Sequence, residues 1–198
     1  MTKTRQSLLR LCISACLLAL ALVLPFATFN TPQVGKVLCL MHLPVLLCGF
    51  FCGPIYGGAV GAVAPILRSV LFSQPKIYPD APGMCVELML YGVTAGLLYM
   101  LLPKKKPSIY VSLIVAMLVG RLGWGITRAI FLGIWNTKFS WQIFFMSGFV
   151  NAMPGIILQI VFIPLLIMAT ENQFPYLTAY GGNKRRMKNA RSKKSRSK

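Results

Sequence analysis

Acidic residues are nearly missing from this 198-residue chain: Asp80, Glu87 and Glu171 stand against 21 lysines and arginines, and His42 is the single histidine. That is thin equipment for an enzyme, since catalysis within a membrane usually takes paired acids, a metal or an activated nucleophile. Proton-coupled transport normally uses intramembrane acids, and Glu87 alone sits in apolar sequence. Six cysteines occur (Cys12, Cys16, Cys39, Cys48, Cys52, Cys85), with no C-x-x-C pair among them. Cys39 and His42 lie three apart, but a metal site takes three or four ligands and no second histidine exists, so no metal or other cofactor is expected. The phosphate-cradling pattern G-x-x-x-x-G-K-[ST] is also missing, so any ATP that drives this protein is hydrolysed by another subunit. No inverted repeat relates residues 8–102 to 109–170, which speaks against a self-contained secondary transporter.

What the chain does have is apolar length. Hydrophobic residues make up 56% of it and charged residues 12%, a membrane composition. Apolar stretches cover 8–26, 37–52, 55–72, 84–102, 109–135 and 143–169. An apolar helix of about 17–25 residues spans a bilayer, and lipid leaves helices as the natural way to satisfy the backbone. The cations then fix a topology. Lys3, Arg5 and Arg10, then Lys104–Lys106, then nine cations from Lys184 to Lys198 share one side, whereas the other connections carry only Lys36, Lys76 and Lys138. The positive-inside rule places the crowded side, with both termini, in the cytoplasm. The expected fold is an all-α membrane bundle of six transmembrane helices. A basic start before an apolar run also fits a signal peptide with Ala19-Leu-Ala21 at its cleavage site, but removing it would misplace the positive loops, so a retained first helix is expected.

Residues 1–170 form the membrane domain in this reading, and 171–198 a basic tail expected to be disordered against anionic lipid headgroups. Contact of the tail with RNA is the weaker alternative, and no nucleic-acid partner is expected. Ala15 and Ala19 are four apart on helix 1, the small-residue spacing that lets helices approach closely in lipid, either within the bundle or against a partner. The polar stretch 27–36 is placed to act as a lid. Cys52-Gly53-Pro54 marks a tight turn between helices 2 and 3, flanked by glycines at 49, 57 and 61 that allow near contact. Pro65 lies inside helix 3, and three prolines stiffen an outer loop over 73–82.

Within the spans lie His42, Arg68, Glu87, Tyr91, Arg121, Trp124, Arg128 and Asn151. Counted from the helix ends at about 1.5 Å per residue, His42, Arg68, Glu87 and Arg128 fall within roughly two turns of one level in the outer half of the membrane, with Asn151 a little deeper. Ionisable groups in a span are costly, so they face the bundle interior and mark a binding site or pathway. Three arginines oppose one intramembrane acid, which leaves two to meet lipid phosphate or a substrate anion, and arginine takes a carboxylate bidentately. Trp124 and Tyr91 are placed to stack on a ring. The structural alternative is an Arg68–Glu87 pair, with Arg121 reaching a headgroup.

The segment from Met41 to Gly61, with its His/Pro helix, Gly-Pro turn and Tyr-Gly helix start, resembles the substrate-binding S components of energy-coupling factor (ECF) transporters. Ala64–Ser69, Glu87–Gly92, the Ala15/Ala19 spacing and the overall topology fit the same likeness, which covers residues 8 to about 170. The resemblance implies a bacterial plasma-membrane subunit that captures a water-soluble vitamin from outside. It implies docking on a transmembrane coupling subunit and a pair of ATPases through the small-residue face of helix 1, followed by toppling to release the cargo inward. Surplus arginine favours a carboxylate-bearing vitamin such as pantothenate, ahead of folate and lipoate. Riboflavin, pyridoxine and deazaguanine tRNA precursors stay open, because Glu87 and Asn151 suit a ring edge equally well.

Overall fold

The computed structural model describes residues 3–28, 38–77, 80–103, 106–134 and 152–173, and all regular structure among them is helical. Helix α1 (Lys3–Val23) ends in a short 3-10 turn, Leu24–Thr28, where Pro25 lacks the N–H that would continue an α-helix. There follow α2 (His42–Cys52), α3 (Pro54–Phe72), α4 (Asp80–Leu101), α5 (Lys106–Ile134) and α6 (Met153–Gln173). All but α2 are long and apolar enough to cross a membrane. Five long apolar helices and one short one make the all-α six-helix bundle that the hydropathy pattern predicts.

Three boundaries differ from the sequence expectation. The apolar run 37–52 is helical mainly from His42 onward, because Cys39 takes a left-handed conformation (φ 48°) and turns the chain into α2. Eleven residues reach about 16 Å, well short of a bilayer's hydrocarbon core. The short helix is sustained by its place: every residue of α2 except Phe51 is buried. Irregular backbone at such a depth is tolerated where protein surrounds it, and the His42 N–H closes the turn on the Cys39 carbonyl at 3.0 Å. At the second boundary, Asp80–Pro82 belongs to the first turn of α4 and not to a loop. At the third, α6 is described from Met153 and continues past Ala169 to Gln173. The stretch 135–151, which contains Asn151, lies outside the described residues, as do 29–36 of the expected lid (27–36) and 174–198 of the expected tail (171–198).

Helix α4 is the hub, in contact with α2, α3 and α5; α1 lies against α2 and α3, and α6 against α2 and α5. Glycine makes the centre possible. The α2–α3 turn passes through Gly53 at φ 98° and ψ 177°, a conformation open essentially to glycine alone, and Pro54 starts α3 where a missing N–H costs nothing. Around this turn the backbones of three helices touch. A Cβ on Gly49 would lie 2.6 Å from the Gly92 carbonyl oxygen, and one on Gly57 would lie 2.7 Å from the Gly49 Cα. The sequence shows the α2–α3 half of this contact; that Gly92 of α4 closes it is a tertiary fact. Between helices in lipid, such close approach supplies the dispersion contacts that stand in for hydrophobic attraction.

Gly92→Val is therefore expected to destabilise the bundle by about 3 kcal/mol or more through overpacking. Ala59→Leu, on the exposed side of α3, should leave the melting temperature in detergent within experimental scatter of the parent. Thermal unfolding of both purified variants checks the contrast.

Candidate functional site

Helices α4 and α5 run antiparallel with a fixed register, and charge marks it. Asp80 and Glu87 are seven apart on α4, and Arg121 and Arg128 are seven apart on α5. Seven residues are close to two turns, so each pair projects from one face, and the antiparallel packing joins them crosswise. Arg128 Nη1 lies 3.3 Å from Asp80 Oδ1 at the end where α4 begins, and Arg121 Nη1 lies 3.1 Å from Glu87 Oε1 about 10 Å further along the seam. The first pair is partly exposed and the second is almost wholly enclosed.

The enclosed pair anchors a polar cluster drawn from four helices and one turn. His42 at the start of α2 brings Nε2 to 3.6 Å from Glu87 Oε1, and its ring lies 5.4 Å from the Tyr91 ring. Tyr91 fills the space left by Gly120, whose missing side chain lets the phenol lie against α5. Arg121 spreads its fork over two partners, with Nη2 donating to Cys39 Sγ at 3.6 Å. Gln159 of α6 reaches the Cys39 carbonyl with Nε2 at 3.5 Å. His42, Glu87, Tyr91, Arg121 and Gln159 are all buried. Yet Arg121 Nε, Gln159 Oε1 and His42 Nδ1 have no hydrogen-bond partner among the described residues, and His42 Nε2 has only its 3.6 Å approach to Glu87. Buried polar atoms are normally satisfied, and a concentration of exceptions in one place points to a further group that meets them.

The other residues singled out from the sequence divide by position. Trp124 packs against Gly83, where a Cβ would stand 3.0 Å from the indole, and the Arg128 guanidinium lies 5.1 Å from the indole ring centroid. Arg128, Trp124 and Asp80 thus form the outer tier of the same seam. Arg68 is elsewhere. Its Nη1 donates to the Leu22 carbonyl at 2.7 Å, and its guanidinium lies 5.4 Å and 5.7 Å from the rings of Phe26 and Phe72. Leu22 belongs to the last turn of α1, whose carbonyls have no partner within the helix, so Arg68 serves as a cap on α1. The acid that Glu87 offers goes to Arg121, not to Arg68.

These partners alter the charge balance read from the sequence. Two arginines were expected to have no acid; Arg128 has Asp80, and Arg68 has a carbonyl and two aromatic faces. The residues that the sequence reading passed over are Asp80, Cys39 and Gln159. Asp80 was discoverable, because its spacing to Glu87 repeats that of Arg121 to Arg128. Cys39 entered the sequence analysis only through its spacing to His42, weighed as a metal pair, and not as a partner of Arg121. Among the described residues no group of three or more His, Cys, Asp or Glu side chains converges as a metal site would require.

Ala15 and Ala19 lie on the outward side of α1 beside the exposed Cys12 and Cys16. No described helix covers that face, whereas Ser14 and Ala21 turn inward.

The described helices thus form a multi-helix bundle with a closed polar cluster near one end. The model of one family, described as ECF transporter, substrate-specific component, matches residues 9–167. The chain belongs to that family and is a transporter subunit. No curated protein and no solved structure gives a significant match to it.

Breaking the enclosed pair from one side should be costly. Glu87→Ala leaves the Arg121 charge buried and is expected to destabilise by about 3–5 kcal/mol, with a part recovered in the Glu87→Gln/Arg121→Gln double variant. Asp80→Asn, at the partly exposed pair, should cost about 1 kcal/mol or less. A thermal-unfolding series in detergent with the double-mutant cycle reads all three.

Proposed function

We propose that this chain is the substrate-binding subunit of an ATP-driven importer of a water-soluble vitamin or related micronutrient. It sits in a bacterial plasma membrane with both termini in the cytoplasm, captures its substrate from outside, and delivers it inward with a transmembrane coupling subunit and two ATPases. The observation that carries the reading is the buried cluster of His42, Glu87, Tyr91, Arg121 and Gln159 in a chain of this family. The cation distribution supports the orientation, since it puts the start of α4, and hence the site, toward the outside. Asn151 is proposed to contribute to the site, and the stretch 27–36 to act as its lid.

The coupling subunit is assigned to the exposed face of α1. Ala15 and Ala19 leave a shallow groove there, and a partner helix can approach closely on small residues in a way that bulky side chains forbid. The basic tail is proposed to rest on anionic headgroups. Pantothenate, the first candidate from the sequence, drew on arginines without acids; with Asp80 and the Leu22 carbonyl in place, the choice among pantothenate, folate, lipoate, riboflavin, pyridoxine and deazaguanines turns on the enclosed cluster itself.

Ala15→Trp and Ala19→Trp are expected to abolish uptake and co-purification with coupling subunit and ATPases, while ligand binding by the solitary subunit persists. Loss of binding together with uptake, or retention of both, would remove the assigned interface. Failure of the parent chain to co-purify with any such module would count against the importer reading as a whole.

A further inference from the structure

We infer that the substrate is held in an uncharged form, as a molecule presenting adjacent hydrogen-bond donors and acceptors, such as a lactam, imide or amide edge, and not as a free carboxylate. The inference rests on the reading of the enclosed cluster as the substrate site. Its ground is charge balance. Glu87 and Arg121 already neutralise one another at 3.1 Å inside the bundle. A carboxylate that claimed the Arg121 fork would leave buried Glu87 with only the His42 ring beside it at 3.6 Å, and a cation that claimed Glu87 would strand Arg121. Removing one partner of a buried pair is among the most costly single changes in a protein interior, so a charged guest faces that cost on entry. An uncharged guest does not.

The unsatisfied atoms describe what such a guest offers. Gln159 Oε1 accepts, Arg121 Nε donates, and the ring nitrogens of His42 face the same space. Arg121 keeps Nη1 on Glu87 and Nη2 on Cys39 while Nε remains available, so the guanidinium can donate to a carbonyl without leaving its acid. A neighbouring N–H of the guest reaches Gln159 Oε1. Donor and acceptor side by side on a neutral molecule therefore fit the cluster with its ion pair intact. Arg128 and Asp80, about 10 Å further along the seam, likewise offset one another.

Matched pairs of ligands that differ only in this charge test the idea on the full chain purified in detergent. Panthenol against pantothenate, lipoamide against lipoate and nicotinamide against nicotinate give three such pairs, with riboflavin as an uncharged imide probe, read by native mass spectrometry and isothermal titration. The expected result is that the bound probe is uncharged, and that in any pair that binds the neutral member is tighter by about 100-fold, the size of a buried-charge effect. Equal or tighter binding of a carboxylate member overturns the inference and leaves the importer reading standing. No binding across the panel also overturns it, and co-purification with a coupling module then decides separately whether the importer reading survives. Glu87→Gln supplies a second measurement in which Arg121 loses its counter-charge. The preference for the neutral member should fall by about tenfold or more, or reverse. An unchanged preference in that variant, with its fold verified by thermal unfolding, would show that Glu87 does not set the charge of the guest.

Discussion

A single buried ion pair, Glu87 with Arg121, governs the interior of this bundle. Neither charge is tolerable there alone, so α4 and α5 must meet in the one antiparallel register that joins them. The same register sets Asp80 against Arg128 and Trp124 against Gly83, and it brings Tyr91 onto Gly120. Once the register is fixed, the direction of the Arg121 fork is fixed too, and with it the positions at which Cys39 and His42 must arrive. A small error in helix pairing would cost the site and the fold together.

The rest of the architecture accommodates that constraint. Helix α2 is too short to cross a membrane and begins in a left-handed turn at Cys39, which is what sets His42 beside Glu87. A positive φ at a non-glycine residue is sparsely populated, and its place beside the cluster fits the general observation that backbone strain gathers at functional sites. Below the cluster, the glycines of α2, α3 and α4 bring backbones into contact. This gives the bundle a rigid centre next to a polar region whose hydrogen bonding is incomplete. α1 lies against α2 and α3, is capped at its end by Arg68, and otherwise presents a lightly buried apolar surface.

Much of the fold was legible because lipid imposes so few solutions. Long apolar runs become helices, and five of the six runs do so at spanning length. The turn at Gly53-Pro54 could be read from residue type alone, since both residues have conformations that permit little else. Part of the site was legible for the same kind of reason: an ionisable residue in an apolar run has to be met by something, which made Glu87, Arg121 and His42 conspicuous. The depth argument failed for Arg68, which lies at a suitable level but on a helix whose inward face turns that residue to α1. Depth is one coordinate, and pairing also requires azimuth.

By itself the sequence determined the class of protein, the number of helices and the set of charged residues that had to be buried, because burial cost and backbone satisfaction act on each segment separately. Which charges pair was decided only by tertiary structure. Helix neighbours and their rotation depend on the summed packing of glycines, tyrosine and tryptophan across several segments, and no local pattern encodes that sum. The consequence is chemical: arginines that look surplus along the chain are matched in space, one by Asp80 and one by the end of α1. Composition counts the charges, and only the packing of the helices says which of them are matched.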